Sequence, residues 1–276
     1  MSRVTMMDGT GTFSRSLQRA RGTIRTTFRN RALDRLFQSG SAKALLPRSY
    51  GPSEEVVLVN TAGGITGGDL FNYECGAHAS DVTVTTQAAE RAYRSSADEL
   101  ASLTVKLTAQ KGAKLHWLPQ ETILFDNSRL ARSIDVHMDQ SSECLLLESL
   151  VFGRHAMGET LTQCHFTDRW RIHRDGRLVH AEALRLDRDL DHCLAHSAGA
   201  NGAQMMAVAI YVGPRAGPIH NDMKTALDHV ASRAAVSTWN DKVVMRLLAQ
   251  DTMTGKRDLT QFLTAMGGVQ VPRVWQ

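Results

Sequence analysis

A period of two is what most restricts the fold of this chain. Asp81-Val82-Thr83-Val84-Thr85-Thr86, Leu103-Thr104-Val105-Lys106-Leu107-Thr108 and Ser133-Ile134-Asp135-Val136-His137-Met138 all alternate apolar with polar residues. Side chains of an extended strand point alternately to its two faces, so each segment reads as a strand buried on one side. Trp170 to His173, then Arg174-Asp175-Gly176-Arg177, then Leu178 to Ala181 reads as a strand, a tight Asp-Gly turn and a returning strand. Val56 to Val59, Cys144 to Leu147 and Met205 to Val212 are short apolar runs bounded by turn residues, the pattern of strands covered on both faces.

Helical spacing appears only late. Asn221 to Ala235 opens on Asn-Asp and sets Met223, Leu227 and Val230 on one face against Lys224, Asp228 and Arg233. A second helix is expected from about Asp258 to Ala265, stopped by Gly267-Gly268, with a strand at Lys242 to Ala249 between the two. No composition break or long Pro/Gly/Ser linker divides the 276 residues, so a single domain, 1–276, is expected. It is mainly β, with two C-terminal α-helices.

Charge is distributed unevenly. Residues 1–36 hold eight arginines (Arg3, Arg15, Arg19, Arg21, Arg25, Arg29, Arg31 and Arg35) against Asp8 and Asp34, and the rest of the chain is slightly acidic. With only Phe13 and Phe28 as aromatics, the basic segment lacks stacking platforms, which argues against a nucleic-acid partner. Its arginines superficially resemble a transit peptide, yet they alternate with small and apolar residues as a solvated strand does. Cysteines 75, 144, 164 and 193 form no CxxC pair, which excludes a zinc ribbon or thioredoxin-type motif, and four in 276 residues are too sparse for a disulfide framework, so free thiols in a reducing compartment and a cytoplasmic location are expected. Met205 to Val212, the longest uncharged apolar stretch, falls far short of the roughly 20 residues of a spanning helix, so no membrane partner is expected.

Asn60-Thr61-Ala62-Gly63-Gly64-Ile65-Thr66-Gly67-Gly68-Asp69 is the most unusual stretch. Gly63 and Gly68 have the spacing of a phosphate loop, but Asp69 and Leu70 stand where that loop needs Lys and Ser/Thr. The glycines instead permit a tight loop that turns Asp69 inward against a sheet. His192 and His196 stand four apart, a spacing that aims two imidazoles at one metal on a helix, but without the glutamate of a hydrolytic centre. There is no GxSxG elbow and no other nucleophile constellation, so no catalytic residue is assigned.

Four motifs in order carry a family resemblance: residues 60–69 above; Gln87-Ala88-Ala89-Glu90-Arg91-Ala92-Tyr93-Arg94-Ser95; Leu118-Pro119-Gln120-Glu121-Thr122-Ile123-Leu124-Phe125; and Gly153-Arg154 with Met157-Gly158-Glu159. Together with the ending Pro272-Arg273-Val274-Trp275, they resemble the urease accessory protein D family, also called UreD or UreH. The resemblance implies a layered, β-helix-like arrangement of sheets with two helices. It also implies a non-enzymatic scaffold that binds the urease apoprotein and acts with accessory proteins F and G, the GTPase being G, to insert nickel delivered by protein E. Under it, no cofactor is permanently bound and Ni2+ is a transient cargo. Asp69, Glu148 and Glu182 match acidic positions that resemble the lining of an internal channel for metal or water, and Gly63, Gly64, Gly67, Gly68, Arg94, Glu121, Arg154 and Glu159 are the motif residues. Weak oxygen ligands suit a metal that must be released, which fits the lack of a His/Cys cluster. The alternative is a β-rich hydrolase with Asp69, Glu148 and Glu182 as general acid and base.

Overall fold

The computed structural model describes residues 18–48, 51–96, 98–187 and 189–275; the first 17 positions, with Arg3, Asp8 and Arg15, lie outside the described residues. The chain begins with β1 (Arg21–Arg29), β2 (Ala32–Gly40), β3 (Ala42–Leu45) and β4 (Glu54–Asn60). It continues through β5 (Leu70–His78), β6 (Asp81–Thr86), β7 (Glu90–Ala92), β8 (Ala101–Gln110), β9 (Lys114–Trp117), β10 (Thr122–Leu124), β11 (Ser128–Met138), β12 (Glu143–Phe152) and β13 (Cys164–Arg174). After β14 (Arg177–Leu186) and α1 (Leu190–Ala195) come β15 (Met205–Val212), α2 (Ala216–Ala226), β16 (Arg233–Trp239), β17 (Lys242–Ala249) and α3 (Thr252–Ala265).

Two sheets result. The seven-stranded sheet runs β14-β13-β11-β8-β5-β1-β2, and its inner members β1, β5, β8, β11 and β13 are parallel. The ten-stranded sheet runs β16-β17-β15-β12-β9-β6-β4-β3, with β4, β6, β9 and β12 parallel, and β10 bridges β12 to β7. From β4 to β13 the chain passes back and forth between the sheets, the short β7 and β10 staying with the ten-stranded one, so each parallel neighbour is one full winding away. The architecture is β-solenoid-like, as the resemblance implies.

Burial explains the two kinds of strand seen in the sequence. One core lies between the sheets and includes Ile24, Val56, Phe71, Leu107, Leu115, Ile134, Leu146, Phe166 and Trp170. A second lies between the ten-stranded sheet and α2 and α3, and includes Leu145, Tyr211, Ile219, Met223, Met245, Leu259 and Phe262. The seven-stranded sheet is covered on one face, and β8 and β11 alternate accordingly; β12 is covered on both, and all ten of its residues are buried.

The Asp-Gly hairpin forms where expected, with Asp175 at φ 49° and Gly176 at φ 75°. Three expectations change. The first late helix occupies Ala216–Ala226 and not Asn221 to Ala235: a 3-10 turn at Leu227–His229 ends it, and Arg233–Trp239 pairs as a strand along β17. The second begins at Thr252, where the Asp251 carboxylate accepts from Thr254 N at 2.8 Å and caps the helix; Asp258 lies inside it. The described part of the basic segment is not one solvated strand. β1 lies inside the seven-stranded sheet and buries Ile24, Thr26 and Phe28, while β2 is the exposed edge. Arg19, Arg25 and Arg29 pair with Glu99, Glu74 and Asp34.

The winding sorts its connections. Between β4 and β13, crossings from the seven-stranded to the ten-stranded sheet are tight turns at residues 79–80, 111–113 and 139–142. Crossings back are long, at 61–69, 87–100, 118–127 and 153–163, and each of the four motifs falls in one of them, the first beginning at the last residue of β4. Motifs separated in sequence therefore share one end of the solenoid.

Candidate functional site

At the motif end the loops hold one another. A Cβ on Gly67 would lie 2.2 Å from Ser95 Oγ and 2.4 Å from the Glu99 carbonyl oxygen, and Gly68 adopts φ 87°, so this crossing admits only glycine there. Tyr93 donates its hydroxyl to the Gly63 carbonyl at 3.0 Å and packs edge-on against Phe125. Arg154 lies over the Phe125 ring, 4.4 Å from its centroid, and pairs with Glu159 at 2.9 Å. Arg94 accepts from Thr66 Oγ1 through its carbonyl, at 3.1 Å. Glu121 meets Lys256 of α3 at 3.0 Å, tying this end to the helical layer.

Asp69 is inward and 3% exposed, as the loop chemistry suggests. Its Oδ1 accepts from Ala20 N at 2.7 Å and its Oδ2 from Thr66 N at 2.9 Å, so both oxygens are occupied by backbone donors. The carboxylate fastens its own loop to the strand entering β1.

Glu148 and Glu182 share a different place, a cavity of about 220 Å3 lined also by Arg132, Asp168, Trp170 and Arg246. Arg132 of β11 and Asp168 of β13 are register partners on the inner face of the seven-stranded sheet, while Glu148 projects from β12 of the facing sheet. The Arg132 guanidinium joins them: Nη1 donates to Glu148 Oε2 and to Thr122 Oγ1, and Nη2 donates to Asp168 Oδ2 at 2.6 Å. Glu148 Oε1 accepts from Trp117 Nε1 at 2.8 Å, and the Phe166 ring underlies the guanidinium. Toward the sheet edge, Glu182 accepts from Arg246 Nη2 at 2.6 Å, with His180 Nε2 at 3.7 Å.

Electrostatics differ along this line. Burial raises Glu148 above the usual carboxylate range, opposed by Arg132 and helped by the Asp168 charge. Burial works against the charge on Arg132, but Asp168 and Glu148 outweigh it and its proton is held more firmly than usual. Glu182, beside His180 and Arg246, lies below the usual range. Thr122 is the register partner of Glu90, which burial pushes up to about 7, against its hydrogen bond from Asn60 and with the Asp69 charge adding to the rise. Polar groups thus run from Glu90, past Thr122, to Arg132, Glu148 and Asp168, and out to Glu182.

Arg132, Asp168 and Glu90 were not singled out from the sequence, although two of them leave a signal in it. Arg132 falls between Leu130 and Ile134, and Asp168 between Phe166 and Trp170, so each is a charge in phase with buried residues. His192 and His196 project from α1 and its C-terminal end with ring centroids 5.9 Å apart, and His196 Nδ1 accepts from Ala198 N. Among the described residues, no group of three or more His, Cys, Asp or Glu side chains is arranged to hold a metal ion. Among the same residues, no helix is long and apolar enough to cross a membrane. All four cysteines are unpaired.

The sequence model for the UreD urease accessory protein matches residues 18–276. The chain belongs to the UreD family. It is 42% identical over 266 residues to the urease accessory protein UreD of Rhizobium rhizogenes, covering 94% of this chain and 96% of that one. The UreD of Xanthobacter autotrophicus is 42% identical, with 94% and 90% covered, and that of Agrobacterium fabrum 39%, with 94% and 92% covered. The solenoid accounts for the meeting of the four motifs at one end.

Proposed function

We propose that this chain is a non-enzymatic scaffold of urease maturation. It binds the urease apoprotein and acts with accessory proteins F and G, G supplying the GTPase, to insert nickel brought by protein E. Membership of the UreD family over nearly the whole chain carries this reading. Nickel is cargo and not a resident cofactor, and the line of polar groups between the sheets is its route. Carboxylate oxygens bind a borderline divalent cation less tightly than thiolates or imidazoles do, which favours release. Glu148 and Glu182 belong to that route through their common cavity. Asp69 supports it from outside, by holding the loop that closes the motif end.

The test has two parts. Used as bait, the chain should capture urease apoprotein and protein F, and cells lacking it should produce urease poor in nickel; fully nickel-loaded urease in the deletion strain would refute the scaffold reading. Glu148→Gln and Glu182→Gln should each preserve capture and lower nickel per urease. Unchanged nickel in both variants would remove the route and leave the scaffold.

A further inference from the structure

Arg132 holds the position between Glu148 and Asp168 that a cation shared by those two carboxylates would take. It reaches one from each sheet, and Phe166 supports its planar group from below. The pairing stops short on the cavity side. Asp168 Oδ1, Arg132 Nε and Trp170 Nε1 are all buried, belong to residues that line the cavity, and have no hydrogen-bond partner among the described residues. The free Asp168 oxygen is the group that suits a hydrated cation, because water bound to a cation turns its hydrogens outward and donates them; the two N–H groups are satisfied by ordinary cavity water.

We infer that Arg132 is the resident cation of a weak divalent-metal station, and that its fixed charge keeps Glu148 and Asp168 from retaining the metal. Two buried carboxylates with no cation between them repel each other and form a strong oxygen site for a divalent ion. A guanidinium bound to both satisfies them in advance, so an arriving ion has to share or displace it. An arginine does this durably because it stays protonated and spans two acceptors with one rigid group. The inference rests on reading the cavity as a nickel route, and it gives Arg132 a positioning role within it.

The test is equilibrium dialysis of the full chain against Ni2+ alone, without urease. Arg132→Gln should bind one additional equivalent at least tenfold more tightly than the unaltered chain, and adding Glu148→Gln should abolish the gain. A folded Arg132→Gln chain with unchanged affinity, or a gain that survives Glu148→Gln, overturns the inference. Should Arg132→Gln fail to fold, Arg132→Lys decides, because lysine keeps the charge but lacks the fork: about threefold tighter binding is expected, and unchanged affinity refutes the idea. The two readings fail separately. Unchanged dialysis with loss of urease nickel in Glu148→Gln would leave the route without the station; tighter binding with normal urease nickel would leave the station without the route.

Discussion

Asp69 is where structure and family resemblance make different demands, so its replacement is informative. The side chain is 3% exposed and accepts two backbone N–H groups, from Ala20 at 2.7 Å and Thr66 at 2.9 Å. A hydrogen bond to a charged group contributes about 1.5–3 kcal/mol, and a buried donor left without its acceptor bears the desolvation cost. Asp69→Ala loses both bonds and should cost about 4 kcal/mol, or roughly 8–16 °C in Tm for a domain of this size. Asp69→Asn keeps one acceptor oxygen and should cost about half as much. Urea unfolding followed by circular dichroism gives the stability, and nickel per urease measured on the same preparations gives the transfer. If Asp69 is a loop staple, lost transfer tracks lost stability across the two variants. A stability change below about 1 kcal/mol for Asp69→Ala, with transfer abolished, would refute this reasoning and return Asp69 to direct contact with the metal.

Glu90 should make stability depend on pH. Its folded pKa is raised from 4.5 to about 7, chiefly by burial, so its contribution is fully present below about pH 4.5 and is lost as pH rises through 7. Glu90→Gln removes that loss: its thermal midpoint should match the unaltered chain near pH 4 and exceed it at pH 8, by up to about 3 kcal/mol of stability, and a difference independent of pH would contradict the assignment. Asp258 in α3 accepts from Ala231 N, Ser232 N and Ser232 Oγ at 3.0, 2.8 and 2.7 Å, fastening the helix to the segment before β16. Asp258→Ala should cost about 3–5 kcal/mol and speed hydrogen exchange at the Ala231 and Ser232 amides; amides that stay protected would show that the helix is held by its apolar face alone.

Particular elements show why some of the fold could be read in advance. The alternation in β8 and β11 is visible because their sheet has one wet face, and the continuous run in β12 because its sheet has none. Met223, Leu227 and Val230 mislead because their spacing continues past the end of α2 into a 3-10 turn, and periodicity does not register the pairing that draws Arg233–Trp239 onto β17. Asp258 resembles a helix start because aspartate is a good cap; its actual donors lie more than twenty positions earlier in the chain. The metal-route candidates divide in the same way. Glu148 and Glu182 fall together, while Asp69 is engaged by its own loop.

The sequence by itself determined the strand rhythm, the Asp-Gly hairpin, the glycine loop with its inward aspartate, and the family. All of these follow from local backbone preference or from linear order. The tertiary structure alone decided that four separated motifs meet at one end and that Arg132 and Asp168 of one sheet share a cavity with Glu148 of the other. Period two tells which face a side chain takes. What stands opposite it across the core depends on how the two sheets are stacked, and that is set by the packing of the whole winding.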